Sequence, residues 1–569
     1  MPHAFLPIPE PGSTIGQVRG GPMEYGGRGI KAPEYFARLW QDQQFPEAVR
    51  NIVALEELSK GNPERVNYNA IAKVLRVETF LKLTDAYGDV PYTEAGQAYY
   101  QRIFTPKYDR QEDIYKDFFR LLTEAGNEFD PAARSPKEDL YFGGNVEKWK
   151  KLAASLKLRV AMRLIKVNPT LAKQMVAEAY QAGLMTSNDD IAAVKHGEDY
   201  NTLGSGNAYA DIMLQATSST GLGISQYKMT TEFFKSLCVM DPVQYATPPF
   251  RRYLSLDPRL LLIAEVSITK SGAGLAAWKD AVEVTELMRK YNAGAANQQG
   301  PADLATAVDG YINIGGYLTL PAQEYTYGGG LQRVGENGYA GAEKTRSIWA
   351  NGITSANVNA ATWLTDDEKK TLTTVIGTYT VPHTMYRLTP SRNILDVSSP
   401  WIHLSYAETQ FLMAETTVRG WGIDTQTAED RFRAGYKAAV KQFSLFGVKA
   451  TAMPTDEQIE DYLETYLVPV IQEGGTAALE EINKQIWILH FMDPFEAWSN
   501  MRRTNGMPTA YTAWYNREPG RNQSDGLRPS RLLYPVAEQN KNKVNWQEAV
   551  DRIGGTDDWL KPVWWDVQN

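Results

Sequence analysis

The stretch Asn69–Ala95, NAIAKVLRVETFLKLTDAYGDVPYTEA, constrains the fold of this chain more than any other. Ala70, Val74, Val77 and Leu81 step at helical spacing, and Ile71 and Leu75 widen the same stripe. A face that broad predicts a helix buried against other helices. The pattern stops at Asp85-Ala86-Tyr87-Gly88-Asp89-Val90-Pro91-Tyr92. Gly88 permits a positive φ, and Pro91 drives Val90 out of the α region, so the chain has to turn here. A buried helix that runs into a Gly/Pro corner suits a helical scaffold that presents a loop to a ligand.

The rest of the chain repeats the helical theme. Residues 7–32 are rich in Pro and Gly and read as an extended segment; a helix with Leu39 and Trp40 and another over Val49–Leu58 follow. Ile114, Phe118, Leu121 and Ala125 share one face, and Asp109 stands at capping-box spacing from Glu112. Trp149, Leu152, Leu156, Val160 and Leu164 form the longest regular stripe. Pro169 fits the first turn of the next helix, which ends at Gly183. Helical patterning returns from Leu404, while 503–569 reads as loop-rich. The expected fold is mostly α, a tetratricopeptide-like scaffold of helix pairs with long irregular insertions, although no strict 34-residue repeat is visible. One domain over 1–569 is expected, its scaffold mainly at 32–183 and 400–503 and a loop region at about 184–400.

Composition and motifs narrow the chemistry. With 59 basic against 67 acidic residues and no basic block, a nucleic-acid partner is not expected. Cys238 is alone, and no apolar run is long enough to span a membrane. His3, His196, His383, His403 and His490 fall in no metal-binding spacing, and neither a G-x-S-x-G elbow nor a Walker loop occurs. No metal, no cofactor and no catalytic residue is therefore expected. Asp85 and Asp89 read as structural, accepting from turn amides and capping the next segment. Glu408, Glu415 and Glu496 lie on apolar helices, where pairing with arginines such as Arg159, Arg502 or Arg503 is expected.

Tyr (31) and Trp (14) are abundant. Between 309 and 363 they alternate with glycines in long loops. Tyr311, Tyr325, Tyr327, Trp349 and Trp363 offer flat faces for a pyranose, and Asn313, Asn337 and Asn351 offer amides to read its hydroxyls. These are the first candidates for ligand contact.

LTDAYGDVPYTEA after an Ala/Leu-rich helix resembles the signature of the SusD/RagB-like family, in the subgroup with a D-x-Y-G-D-[IV]-P-Y-x-E-A corner. FGGNVEKWKKLAASLKLRVAMR at 142–163 is similar to a second family block, with Asn145 for the usual Asp and Ala154 for the usual Asn. Pro400–Glu415, QIWILHFMDPFEAWSNMRR at 485–503, and LRPSRLLYPV with KPVWWD near the end resemble further blocks in the same order. The 184–400 region matches none.

The resemblance implies an outer-membrane, cell-surface nutrient-binding lipoprotein rather than an enzyme. Such a protein captures an oligosaccharide and acts as a lid over a SusC-like TonB-dependent transporter. Membrane association would be through a lipid anchor only; neither a signal peptide nor a lipidated Cys stands in this sequence, so a trimmed form is expected. Because the loop after the corner lies near the ligand face in relatives, Tyr92, Tyr99 and Tyr100 become further candidates. An oligopeptide cargo is the alternative on the same scaffold, and a helical glycoside hydrolase is a third reading.

Overall fold

The computed structural model describes residues 44–197, 355–378, 396–448, 453–509 and 529–567 continuously, together with short pieces elsewhere in the chain. Ten of its helices carry the argument below. They are α1 (Gln44–Ser59), α2 (Val66–Tyr87), α3 (Gln111–Glu128), α4 (Val146–Arg163) and α5 (Pro169–Ala182), then α6 (Tyr406–Val418), α7 (Ala428–Lys441), α8 (Gly475–Leu489), α9 (Pro494–Arg503) and α10 (Lys543–Arg552). Along the first half each helix packs on the next, α1 on α2 through to α4 on α5. In the second half α6 packs on α7 and α8, and α8 on α9. The fold is mostly helical, as the sequence predicts.

The two halves meet on α4, which contacts α2, α3, α5, α6 and α9. Every residue from Leu152 to Arg163 is buried, charged ones included. That is why its sequence reads as a broad stripe: a helix enclosed on all sides keeps little of the polar face that a surface helix shows. α2 is comparably enclosed, with Ala70, Val74, Val77 and Phe80 wholly inaccessible. Buried apolar side chains of the described residues form one core running from Val49 to Trp565.

Several helix ends follow the sequence. Asn145 accepts from the Lys148 amide to open α4, Asn168 caps α5 with Pro169 in its first turn, and Gly183 closes α5 at φ 95°. The corner after α2 also forms: Gly88 adopts φ 84° and its amide donates to the Thr84 carbonyl. Val90–Pro91 (β1) then pairs antiparallel with Tyr108–Asp109 (β2). The capping box expected of Asp109 and Glu112 does not form. Arg110 is the N-cap of α3 and provides no side-chain cap. Asp109 instead accepts from the amides of Tyr92 and Thr93, at 3.1 and 2.8 Å. Asp89 takes over at the helix start, accepting from the Gln111 amide at 2.9 Å.

The region from 184 to 400 is not loops alone. Ala192–Val194 (β3) pairs antiparallel with Trp401–Leu404 (β4), which ties its beginning to the start of the second helical half. A helix also spans Asp366–Thr378. At its start the Thr365 amide donates to the Glu368 carboxylate at 2.8 Å and the Glu368 amide to the Thr365 hydroxyl at 3.3 Å, so T-D-D-E at 365–368 is a capping signal available in the sequence.

Candidate functional site

Beneath the corner lies a network of buried charge. Asp85, at the end of α2, accepts from the Tyr115 hydroxyl at 2.5 Å, the Trp565 indole at 2.8 Å and Arg163 Nε at 3.1 Å. Its role therefore differs from the expected one of bonding turn amides, because three side chains from distant segments saturate it. Arg163 also donates to Glu496, which lies 3.8 Å from Arg159 Nε. Arg159 donates in a fork to Glu408, at 2.7 and 2.6 Å. Arg502 donates to the carbonyls of Asp85 and Ser530, with its guanidinium 3.6 Å from the centre of the Trp498 ring. Arg503 grips Glu415 with two bonds, at 2.9 and 2.7 Å. The expected pairing of these glutamates with arginines is thus found, with Arg163 as an additional partner. Guanidiniums and carboxylates alternate from Asp85 through Arg163, Glu496 and Arg159 to Glu408, whereas Arg502 is held by carbonyls and aromatic faces with no carboxylate in direct contact.

Electrostatics follow from that alternation. Burial pushes the Glu496 carboxyl up, but Arg163 and Arg159 more than reverse this and hold it well below the usual carboxylate range. Burial likewise opposes ionisation of Glu415, and Arg503 and Arg419 bring it down to about 2. Burial lowers the His490 imidazole, favouring its neutral form.

Outside the corner, the chain between β1 and β2 makes an excursion with a fixed base and an open tip. Arg76 Nη2 donates to the Tyr92 carbonyl at 2.7 Å, and Glu94 accepts from the Lys107 amide at 2.9 Å. From the C-terminal segment, Asn542 and Asn545 donate to the carbonyls of Pro106 and Thr105. Gly96, at φ 73°, lets the backbone pass so close to α1 that an added Cβ would lie 3.0 Å from Val53. A single helical turn, Ala98–Gln101, follows and ends at Arg102 in the left-handed region.

On that turn Tyr99 is 87% exposed and Tyr100 41%, their rings edge to face with centroids 5.0 Å apart. Phe104 is 75% exposed on the same excursion. No motif marks Phe104; its one signal is the Thr-Pro turn composition that follows it. Tyr92 is different. It is 2% exposed, its ring is edge-on to Phe80 and its hydroxyl donates to Asp117 at 2.7 Å. In this conformation Tyr92 is a packing residue that fixes the base of the excursion, and no face of its ring is open to a ligand.

Among the other candidates, Trp363 is half-buried and packs against the main core. Asn313 lies in a two-stranded ladder of Ile312–Ile314 with Tyr317–Thr319. Tyr311, Tyr325, Tyr327, Trp349, Asn337 and Asn351 lie outside the described residues. Among the described residues no group of three His, Cys, Asp or Glu side chains is placed to hold a metal ion. No helix of the described residues is long and apolar enough to cross a membrane.

Comparison with known proteins bears on this arrangement. Residues 31–208 match a SusD-like family described as starch-binding and associating with the outer membrane. Residues 356–566 match the SusD and RagB outer-membrane lipoprotein family. The chain belongs to the SusD/RagB-like family. Among solved structures it is similar to a chitin-binding protein, with 25% identity and a TM-score of 0.64, covering 100% of this chain and 93% of the other. It is also similar to a Bacteroidetes SusD-like protein, with 27% identity and a TM-score of 0.66 over 95% and 91% of the two chains. A SusD homologue from Bacteroides uniformis shares the fold at 20% identity and a TM-score of 0.60, over 99% and 93%. No curated protein matches the chain.

Proposed function

We propose that this protein is a non-catalytic glycan-binding protein of the bacterial cell surface, which hands oligosaccharides to a SusC-like TonB-dependent transporter and closes over it as a lid. The observation that carries the reading is the Tyr99/Tyr100 pair, two exposed rings held over a hydrogen-bonded base. An exposed ring on a rigid support can stack on the weakly polar face of a pyranose without first losing much conformational freedom. Membership of the family and the likeness to a chitin-binding protein support a glycan as cargo. Tyr311, Tyr325, Tyr327, Trp349 and Trp363, with Asn313, Asn337 and Asn351, are proposed to extend the contact surface.

A role without catalysis is supported by the state of the buried carboxylates. A glycosidase needs one carboxyl with a raised pKa to act as general acid, facing a second one across the bond. Glu415, Glu496 and Asp493 are instead held below their usual values, each beside a cation; burial raises Glu56 and Asp557, but each of these faces an arginine, Arg76 at 2.9 Å and Arg531 at 3.3 Å, rather than a second carboxylate.

The test is calorimetry on the purified protein with three ligand classes: chitin oligosaccharides, starch oligosaccharides and peptides of similar length. Saturable binding of a saccharide without release of shorter products is the expected result. Binding confined to peptides would transfer the role to that cargo. Cleavage of any saccharide would overturn the non-catalytic reading. Co-purification of a TonB-dependent transporter with the tagged protein tests the partner.

A further inference from the structure

The turn that carries Tyr99 and Tyr100 stands among cations. From Gln97 to Lys107 the charged side chains are Arg102 and Lys107, and from Gln539 to Gln547 they are Lys541 and Lys543. Neither stretch contains an Asp or Glu, in a chain whose formal net charge is −8. The fold joins the two stretches: Asn542 Nδ2 donates to the Pro106 carbonyl at 2.8 Å and Asn545 Nδ2 to the Thr105 carbonyl at 3.0 Å. α10 thereby begins alongside the descending limb of the excursion. All four cations are exposed.

The acids at the edges of this surface are engaged with its base. Asp109 accepts from the Tyr92 and Thr93 amides, Glu94 from the Lys107 amide at 2.9 Å, and Glu538 from the Tyr108 hydroxyl at 2.8 Å. Lys107 Nζ lies 4.0 Å from Glu94. Arg102, Lys541 and Lys543 make no ion pair among the described residues. Arg102 follows Tyr99 by three positions, and its amide closes the turn on the Ala98 carbonyl at 3.1 Å. Its guanidinium is therefore tethered within reach of the exposed rings.

We infer that the ligand taken at the Tyr99/Tyr100 surface is an acidic oligosaccharide, and that Arg102 determines this specificity by meeting the carboxylate or sulfate of the stacked sugar unit. Lys107, Lys541 and Lys543 add a positive field around it. The inference rests on the glycan-binding reading above and adds the charge of the sugar. A uronic acid keeps the C–H face that stacks on an aromatic ring and carries its anionic group at the edge of the pyranose. The planar fork of a guanidinium matches the paired oxygens of such a group. A neutral glycan would leave these cations without a counterpart, and a basic one would be repelled. Because the charges are exposed, the attraction is modest and sensitive to salt.

Calorimetry on the full chain would compare matched pairs that differ in charge. These are hexasaccharides of galacturonate and of hyaluronan against their carboxyl methyl esters, and of sulfated chondroitin against its desulfated form. At least one acidic member should bind about fivefold or more tightly than its less charged partner, and the advantage should shrink as salt rises from about 0.02 to about 0.3 M. The pair that shows it identifies the anionic group. Arg102→Gln should remove most of the advantage and leave the neutral partner's affinity unchanged. Arg102→Lys should keep part of it, and controls for substitution at a residue with φ 58°. Tyr99→Ala/Tyr100→Ala should weaken both members of a pair alike. Equal affinity within every pair, or an advantage unmoved by Arg102→Gln, would overturn the inference and leave the glycan-binding reading in place. An acid that keeps its full affinity without the two rings would also overturn it. Binding of no saccharide, chitin and starch oligosaccharides included, would remove that reading and this one with it.

Discussion

The corner at Asp85–Tyr92 and the excursion at Tyr92–Tyr108 are contiguous in sequence and opposite in physical character. In the corner, Asp85, Asp89 and Tyr534 turn inward: Tyr534 donates to the Asp89 carbonyl at 2.9 Å, and Arg552 pairs with the Asp89 carboxylate at 2.5 Å. In the excursion, the backbone is tied down at its base while Tyr99, Tyr100 and Phe104 face solvent. Residue types that look ligand-ready, the acidic pair at 85 and 89, are fully engaged within the scaffold. The exposed large rings are the groups left available. On the proposed reading, the difference teaches that ligand contact falls to what the scaffold does not satisfy internally, rather than to its most chemically active side chains.

The sharpest way to break that comparison is to remove a charge from the inner network. Arg163→Met leaves Asp85 and Glu496 without their shared guanidinium in a site closed to water, and a broken buried pair costs about 3–5 kcal/mol. Urea denaturation should show a loss of that size. A loss below about 1 kcal/mol would mean that the network is more hydrated than its burial indicates.

Acid should act on the same network from outside. The folded pKa of Glu415 is depressed to about 2, so its contribution is complete above its unfolded value and disappears as pH falls through that interval. The interval corresponds to about 3 kcal/mol of linkage. Glu496, depressed further, acts in the same direction. His490 adds to it: its lowered pKa favours the neutral form, so protonation below the usual histidine range favours the unfolded chain. Stability measured by thermal melting should be highest near neutral pH and fall steadily below about pH 5. A flat profile down to about pH 3 would contradict the pairing.

A smaller effect tests the packing that holds the second half together. Gly435 in α7 abuts α6, and an added Cβ would lie 2.9 Å from two carbons of the buried Phe411 ring. In a helix interior Ala is favoured over Gly by about 1 kcal/mol, but overpacking costs about 1–3 kcal/mol. Gly435→Ala should therefore destabilise by about 1 kcal/mol net. A stabilised variant would show that Phe411 has room to move.

The scaffold was legible in sequence because its signals are local. The α2 stripe, the Gly88–Pro91 turn, Pro169 in its first turn and Gly183 at its end all depend on residues within a few positions of one another. The network was legible only by type. Its glutamates and arginines could be expected to pair, but whether Arg163, Arg159 or Arg502 reaches Glu496 depends on how α2, α4 and α9 cross. Asp85 illustrates the limit. Its partners come from residues 115, 163 and 565, and local turn chemistry offered a simpler account. Asp109 misled for a related reason: two adjacent amides at Tyr92 and Thr93 competed for it and won over the helix start. For the candidate site, the resemblance of the corner pointed to Tyr92, Tyr99 and Tyr100 alike, because the position of a loop in relatives does not report which ring the β1–β2 pairing turns inward.

That last distinction gives the prediction with the smallest effect on stability. Tyr99→Ala/Tyr100→Ala removes two exposed rings whose contact is with each other, so the unfolding free energy should move by no more than about 0.5 kcal/mol. Saccharide affinity should fall about tenfold or more, the consequence of losing a stacked aromatic contact. Tyr92→Ala should behave in the opposite sense. It empties a site lined by Phe80 and Phe118 and leaves Asp117 without its phenol, so it should destabilise by about 3–5 kcal/mol. Any binding loss in that variant should recover when a stabilising condition restores the fold. If the two sets of substitutions moved stability and affinity in parallel, the boundary between scaffold and site would not lie at the foot of this excursion. Separate responses would place it between Tyr92 and Tyr99, within seven positions of one chain.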